Sequence, residues 1–250
     1  MIIDTDTELR LGDYRTALAD VECDSTIVDA PYSARTHGGH NGPTDRPHDR
    51  RYGRRKHTKP IAFAAWDEDD VRACVEHWSQ RTRGWIVSLT DHVLAPVWCA
   101  ALDDAGRYVF PPLPLVEIGS RVRMSGDGPS SWTCWIVVAR PRNRAFQRWG
   151  TLRGAYIATG KGDRVIVGGK RLDIMRALVR DYSRPGDLVC DPCAGGGTTL
   201  RAAQREGRRS IGAEIDPTTH AAAVERLRAP YTRPLLQDAV RPEQGEIPCT

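Results

Sequence analysis

Short apolar runs alternate with longer amphipathic stretches along most of the chain, and the alternation predicts strands separated by helices. Leu9, Leu11 and the Gly12-Asp13 turn open the pattern, and a short helix is predicted over 14–20. A strand follows over 25–28, ending at Asp29-Ala30-Pro31-Tyr32. Residues 33–60 carry almost no apolar side chains and are broken by Gly38, Gly39, Gly42, Pro43 and Pro47, which predicts a long loop. Beyond it, Asp67 can cap a helix reaching about residue 82, with Val71, Cys74, Val75 and Trp78 on one face. A strand over 85–89, a helix over 92–102 and a proline-broken edge over 108–116 come next, then a clear strand over 133–139. A last amphipathic helix carries Leu172, Met175, Leu178, Val179 and Tyr182 on one face. It leads into the strand 188–190, a glycine turn, the helix 198–206, the strand 209–214, and a helix started by Asp216-Pro217 that runs to residue 228. Strand-helix alternation of this kind implies an α/β sheet. A length of 250 residues suits one such domain with a full core.

The C-terminal strand-turn-helix carries the densest chemistry. Asp191-Pro192-Cys193-Ala194-Gly195-Gly196-Gly197-Thr198 joins a buried strand to a helix. Glycines let backbone approach a ligand closely, and the helix N-terminus offers N–H groups to an anionic part of it. A triphosphate-cradling loop is excluded, because Gly197 stands where that loop needs Lys. Glu214 ends the next strand 23 positions after Asp191, near the spacing expected of an acid that binds ribose hydroxyls.

These residues resemble the cofactor motif of S-adenosylmethionine-dependent DNA amino-methyltransferases, with Cys193 where that family has Phe. Asp29-Ala30-Pro31-Tyr32 resembles their catalytic motif, with Ala30 in place of the first Pro. The catalytic motif precedes the cofactor motif, which is similar to the permuted β-class order. The resemblance implies a Rossmann-like methyltransferase fold: a seven-stranded, mostly parallel sheet with helices on both faces, and the strand over 133–139 antiparallel beside the edge. It implies S-adenosyl-L-methionine as cofactor, held by Asp13, Asp29, Lys170, Asp191, Pro192, Cys193, Ala194, Gly195, Gly197, Thr198, Glu214, Ile215 and Asp216, with Asp238 a rival of Asp13 at the adenine end. It implies methyl transfer to an exocyclic amino group in DNA, adenine N6 ahead of cytosine N4. Methylation of RNA or of a protein amide, a cofactor-binding module without catalysis, and a cofactor-free nucleic-acid binder stay open as alternatives.

Charge adds a partner. The chain carries a net +4, and residues 35–59 hold eight basic side chains against two acidic ones, so that +6 sits there and −2 on the other 225 residues. Such a segment on a nearly neutral body points to a polyanion. Arg35, Arg50, Arg51, Arg54, Arg55 and Lys56 are candidate phosphate contacts, as is Arg148. The stretch 140–169 interleaves arginines with Phe146, Trp149 and Tyr156, a pattern that suits nucleic acid, at the point where the family carries its target-recognition segment. The domain organisation expected is therefore one methyltransferase domain over 1–250, with a basic loop insertion at 33–60 and a small recognition segment at 140–169. Asp91 and Trp132 cannot be told from surface and core residues.

Seven scattered cysteines suggest reduced thiols and a cytoplasmic protein. Neither Cys190-x-x-Cys193 nor His37, His40, His48 and His57 has the spacing of a zinc site, so no metal is expected. No apolar run reaches membrane-spanning length. A monomer or a homodimer is expected.

Overall fold

A computed structural model describes residues 1–40, 63–118, 133–147, 149–159 and 169–231. In chain order the elements are β1 (Thr7–Leu11), α1 (Tyr14–Ala17), β2 (Ser25–Asp29), α2 (Ala34–His40), α3 (Glu68–Ser79), β3 (Ile86–Thr90) and α4 (Ala95–Asp104). Then come β4 (Tyr108–Val109), β5 (Leu113–Ile118), β6 (Thr133–Arg140), α5 (Arg144–Gln147), β7 (Tyr156–Thr159), α6 (Leu172–Tyr182), β8 (Leu188–Asp191), α7 (Thr198–Arg205), β9 (Arg209–Glu214) and α8 (Pro217–Arg228). The strands form a single sheet in the order β1-β9-β8-β2-β3-β6-β5-β7, with β4 also paired to β6.

Among the described residues β6 alone runs against the other strands. The sheet is the expected mostly parallel one, with nine strands rather than seven. The proline-broken edge resolves into β4 and β5, which pair with successive stretches of β6 on either side of Pro111-Pro112. The other extra strand is β7, which pairs in parallel with β5. The antiparallel β6 therefore lies inside the sheet, not at its rim.

Period-two alternation sends neighbouring side chains to opposite faces. Val28, Ile86, Val137 and Cys190 pack on one face with Leu18, Val71, Trp78 and Trp98, from the α1 region, α3 and α4. Ile27, Val87, Val138 and Val189 pack on the other with Met175, Leu178, Ala202 and Ala203 of α6 and α7. Leu9 and Leu200 meet Ala223, Val224 and Leu227 of α8. The helix starts follow the sequence. Asp67 and Asp70 form a reciprocal capping box on α3, and Asp216 accepts from Thr219 N with Pro217 opening α8.

Two local expectations need correction. Residues 34–40 are helical, although they lie in the stretch predicted as loop. Phe146, Trp149 and Tyr156 pack against the core. Phe146 and Trp149 stack at 5.4 Å and both contact the Trp85 ring, while the Trp149 indole N–H donates to Asp181 O and the Tyr156 hydroxyl to Asp181 Oδ2. Ala139 pairs with Ile86, so residues 140–147 sit where the parallel strands begin, at the end of the sheet away from Asp29. The described part of 140–169 thus completes the sheet and its core.

No helix among the described residues is long and apolar enough to cross a membrane. Also among them, no group of three or more His, Cys, Asp or Glu residues converges as a metal site would require.

Candidate active site

The order of the strands creates the site. From β2 the chain moves one way across the sheet to β3; from β8 it moves the other way to β9. Neighbouring strands whose connections diverge leave a crevice at their C-terminal ends, the usual ligand position in open α/β sheets. Here β2 and β8 pair only through Ser25–Val189 and Thr26–Cys190, then part. Asp29 ends β2 and Asp191 ends β8, so the two motifs line this opening.

On the β8 side Asp191 is buried, with 1% of its surface exposed. Cys193 N donates to Asp191 Oδ1 at 3.0 Å. Burial, then the negative charges of Asp29 and Glu214, push the Asp191 carboxyl up to about 7, against the lowering effect of the Thr199 hydroxyl and Cys193 N–H. The turn continues with Gly197 N donating to Ala194 O, and Gly197 takes φ +72° where α7 begins. That left-handed conformation favours glycine, and a Cβ there would lie 3.2 Å from Leu227. Arg226 donates to Gly196 O and to the Thr198 hydroxyl, tying the turn to α8. Cys193 packs against the cluster that holds Tyr14 and Cys74, and burial raises its thiol.

Glu214 sits at the end of β9, beside that turn. Its Oε2 accepts from Gly195 N at 2.9 Å and its Oε1 from Asp216 N at 2.8 Å. Gly12 N donates to Glu214 O, which brings the β1 end to the same rim. The adjacent Ile215 is 64% exposed, an apolar surface next to the carboxylate. Asp13 caps α1 and forms a two-pronged ion pair with Arg15, at 2.9 and 2.6 Å. Asp216 spends one oxygen on its cap. Asp238 lies outside the described residues.

On the β2 side the Lys170 ammonium donates to Asp29 Oδ1 at 2.6 Å and lies 4.7 Å from the centre of the Tyr32 ring. Lys170 therefore meets the catalytic motif rather than the glycine turn. Tyr32 is half-buried, and its hydroxyl is enclosed beside the Cys134 side chain. Ala30 is buried and Pro31 half-buried.

Asp91, at the end of β3, anchors the segment after Tyr32. Its Oδ2 accepts from Ser33 N, the Ser33 hydroxyl and the Thr36 hydroxyl, and its Oδ1 from Val93 N and Leu94 N. Burial pushes this carboxyl up, but those hydrogen bonds more than offset it and the net shift is downward. Sequence reasoning left Asp91 unassigned. The available signal was its place, an acid closing a third strand parallel to β2 and β8.

Of the candidate phosphate contacts, Arg35 is exposed on α2. Arg50, Arg51, Arg54, Arg55, Lys56 and Arg148 lie outside the described residues.

The fold is similar to that of solved DNA methyltransferases. It superposes on the M1.HpyAVI–SAM complex with a TM-score of 0.64 at 17% identity, covering 88% of this chain and 98% of that one. TTHA0409 of Thermus thermophilus, a candidate DNA modification methylase solved with S-adenosyl-L-methionine, gives 0.61 at 21%, covering 88% and 93%. The cytosine-N4-specific PvuII DNA methyltransferase gives 0.59 at 12%, covering 93% and 89%.

Within that fold, residues 170–225 match the model of the DNA methylase family. A 60-residue stretch is 38% identical to YubD of Escherichia coli (strain K12), a protein named as a candidate methylase. That stretch is 24% of this chain and spans about a quarter of YubD, 26% of its length.

Proposed function

We propose that this protein transfers a methyl group from S-adenosylmethionine to an exocyclic amino group in DNA, with adenine N6 as the acceptor. The observation that carries this reading is the crevice between β2 and β8, with Asp29-Ala30-Pro31-Tyr32 on one lip and Asp191 with the glycine turn on the other. The residues present fit the cofactor. Glu214 ends β9 beside the turn with oxygens suited to a diol, exposed Ile215 offers a flat apolar surface to a base, and buried Asp191 borders the methionine portion. The cofactor, when bound, supplies a methyl group made electrophilic by a positively charged sulfur.

The amine is a weak nucleophile because its lone pair is delocalised into the base. Asp29 accepts one of its N–H bonds and the Ala30 carbonyl the other, which favours a pyramidal nitrogen and stabilises the positive charge that develops on it. Tyr32 stacks on the target base after it has rotated out of the duplex. No covalent enzyme intermediate is required, so the cysteines have no nucleophilic role. Asp at the first position of the motif favours adenine in the resembling family. Cytosine N4 is the second reading, favoured by the fold shared with the cytosine-N4-specific PvuII enzyme. Long-read modification sequencing of host DNA after expression separates the two. N6-methyladenine at a defined short sequence supports the first, N4-methylcytosine the second, and unmodified DNA refutes both.

The basic run at 50–59 belongs to the same reading as a backbone-binding element. The described residues flanking it start beside the catalytic motif: Ser33 bridges Trp66, and Trp66 N donates to Tyr32 O.

A further inference from the structure

The ion pair between Lys170 and Asp29 has a consequence for the chemistry. Its two side chains are 9% and 21% exposed, so solvent screens it little. Among the described residues, titratable groups that bear on Asp29 include Asp191 from β8, Cys193 from the turn, Tyr32 beyond β2 and Cys134 from β6. Lys170 in turn faces Asp29, Cys134, and Glu117 from β5.

These neighbours are acids or neutral groups. Two carboxyls at adjacent strand ends disfavour each other's ionisation, and Asp29 contributes to the rise of Asp191. A protonated Asp29 becomes a hydrogen-bond donor on one oxygen and is a poor acceptor for an amine N–H. An ammonium at 2.6 Å opposes that protonation. Burial pulls the Lys170 ammonium down, but Asp29, Cys134 and Glu117 together outweigh it and the net shift is upward. The carboxylate has about four lone-pair positions, and the ammonium contact at Oδ1 takes one of them.

We propose that Lys170 is a positioning residue for methyl transfer, which holds Asp29 ionised and in a fixed orientation through the buried contact at Oδ1. The proposal rests on the methyl-transfer reading for the purpose of the pair, but the pair itself is testable without cofactor or DNA. Protein labelled with carbon-13 at the aspartate carboxyl is titrated by NMR, and the Asp29 signal is assigned by its loss in Asp29→Asn. Lys170→Met should raise the Asp29 midpoint by about one pH unit or more, the size expected for removing an opposite charge at contact distance. Lys170→Arg should restore it most of the way. An unmoved midpoint in Lys170→Met overturns the proposal.

Should Lys170→Met fail to fold, the reciprocal measurement decides. In Asp29→Asn the Lys170 ammonium, followed by nitrogen-15 NMR, should titrate at lower pH than in the parent protein, and an unchanged midpoint again overturns the proposal. In single-turnover methyl transfer, the acidic limb of the pH profile should move upward with the Asp29 midpoint in Lys170→Met. A lower plateau with an unmoved limb assigns Lys170 a structural role only and contradicts the proposal. If the parent protein methylates no nucleic acid at all, the functional reading fails, while the two titrations still decide the pair.

Discussion

Asp191 and Glu214 share one rim, yet their surroundings set them different tasks. Asp191 keeps its proton up to about pH 7 in the folded protein, where an unfolded aspartate loses it near its ordinary value of 3.8. The folded state therefore binds a proton that the unfolded state lacks between those values, and this group's contribution to stability falls as pH rises from about 4 to about 7. Asp191→Asn should then change thermal stability little at pH 5, where both side chains are neutral and of similar shape. At pH 8 it should stabilise the protein, by an amount on the order of a few kcal/mol. Equal effects at the two pH values, in thermal melts of the cofactor-free protein, would show that Asp191 is not held neutral by burial. Glu214 braces Gly195 N and Asp216 N while presenting its carboxylate to the rim. Glu214→Ala should weaken S-adenosylmethionine binding by about 1–3 kcal/mol in calorimetry, since an acceptor pair and a turn support disappear together. Unchanged affinity would remove Glu214 from the cofactor site.

At the scale of elements, what the sequence revealed and what it hid depend on the range of the interactions involved. α3 was legible because its capping box and its Val71, Cys74, Val75, Trp78 face are local. The β8-turn-α7-β9 unit was legible because glycines, strand and acid fall at a spacing that chemistry fixes. α2 was not, because seven residues with two glycines have little helical tendency of their own. A carboxylate more than fifty residues away secures its start, through Ser33 and Thr36. β7 was missed for a similar reason: its four residues gain their place from pairing with β5, and Trp149 and Tyr156 from bonding to Asp181 of α6. Basic residues interleaved with aromatics looked like a nucleic-acid contact there, but the aromatic rings are filling the space around Trp85. Lys170 was assigned by position in a motif, and only the packing of the segment before α6 against the end of β2 brings it to Asp29.

For the whole molecule, the parallel strand ends gather the two motifs at one rim, and the basic run at 50–59 adjoins the catalytic side of it in sequence. With Phe146, Trp149 and Tyr156 packed around Trp85 and Asp181, less of the stretch 140–169 remains to read bases, and a short or relaxed recognition sequence is expected. Replacing Arg50, Arg51, Arg54, Arg55 and Lys56 with Ala should weaken binding to all DNA sequences alike. It should also flatten the dependence of log affinity on log salt by about 0.9 for each phosphate no longer neutralised. Unaltered affinity and slope in fluorescence titrations would show that the run is merely solvated, and an altered methylation sequence would show that it reads bases. Whether Asp29 activates an amino group of DNA for methyl transfer is read directly from the movement of tritium out of methyl-labelled S-adenosylmethionine. Duplex DNA, RNA and protein are offered separately to the parent protein and to Asp29→Ala, with cofactor binding measured in parallel. The expected result is label in DNA with the parent protein, and a loss of at least about 100-fold in Asp29→Ala, the scale of removing one transition-state partner, with cofactor affinity retained. Near-normal transfer by Asp29→Ala, or label in RNA or protein and none in DNA, would contradict it.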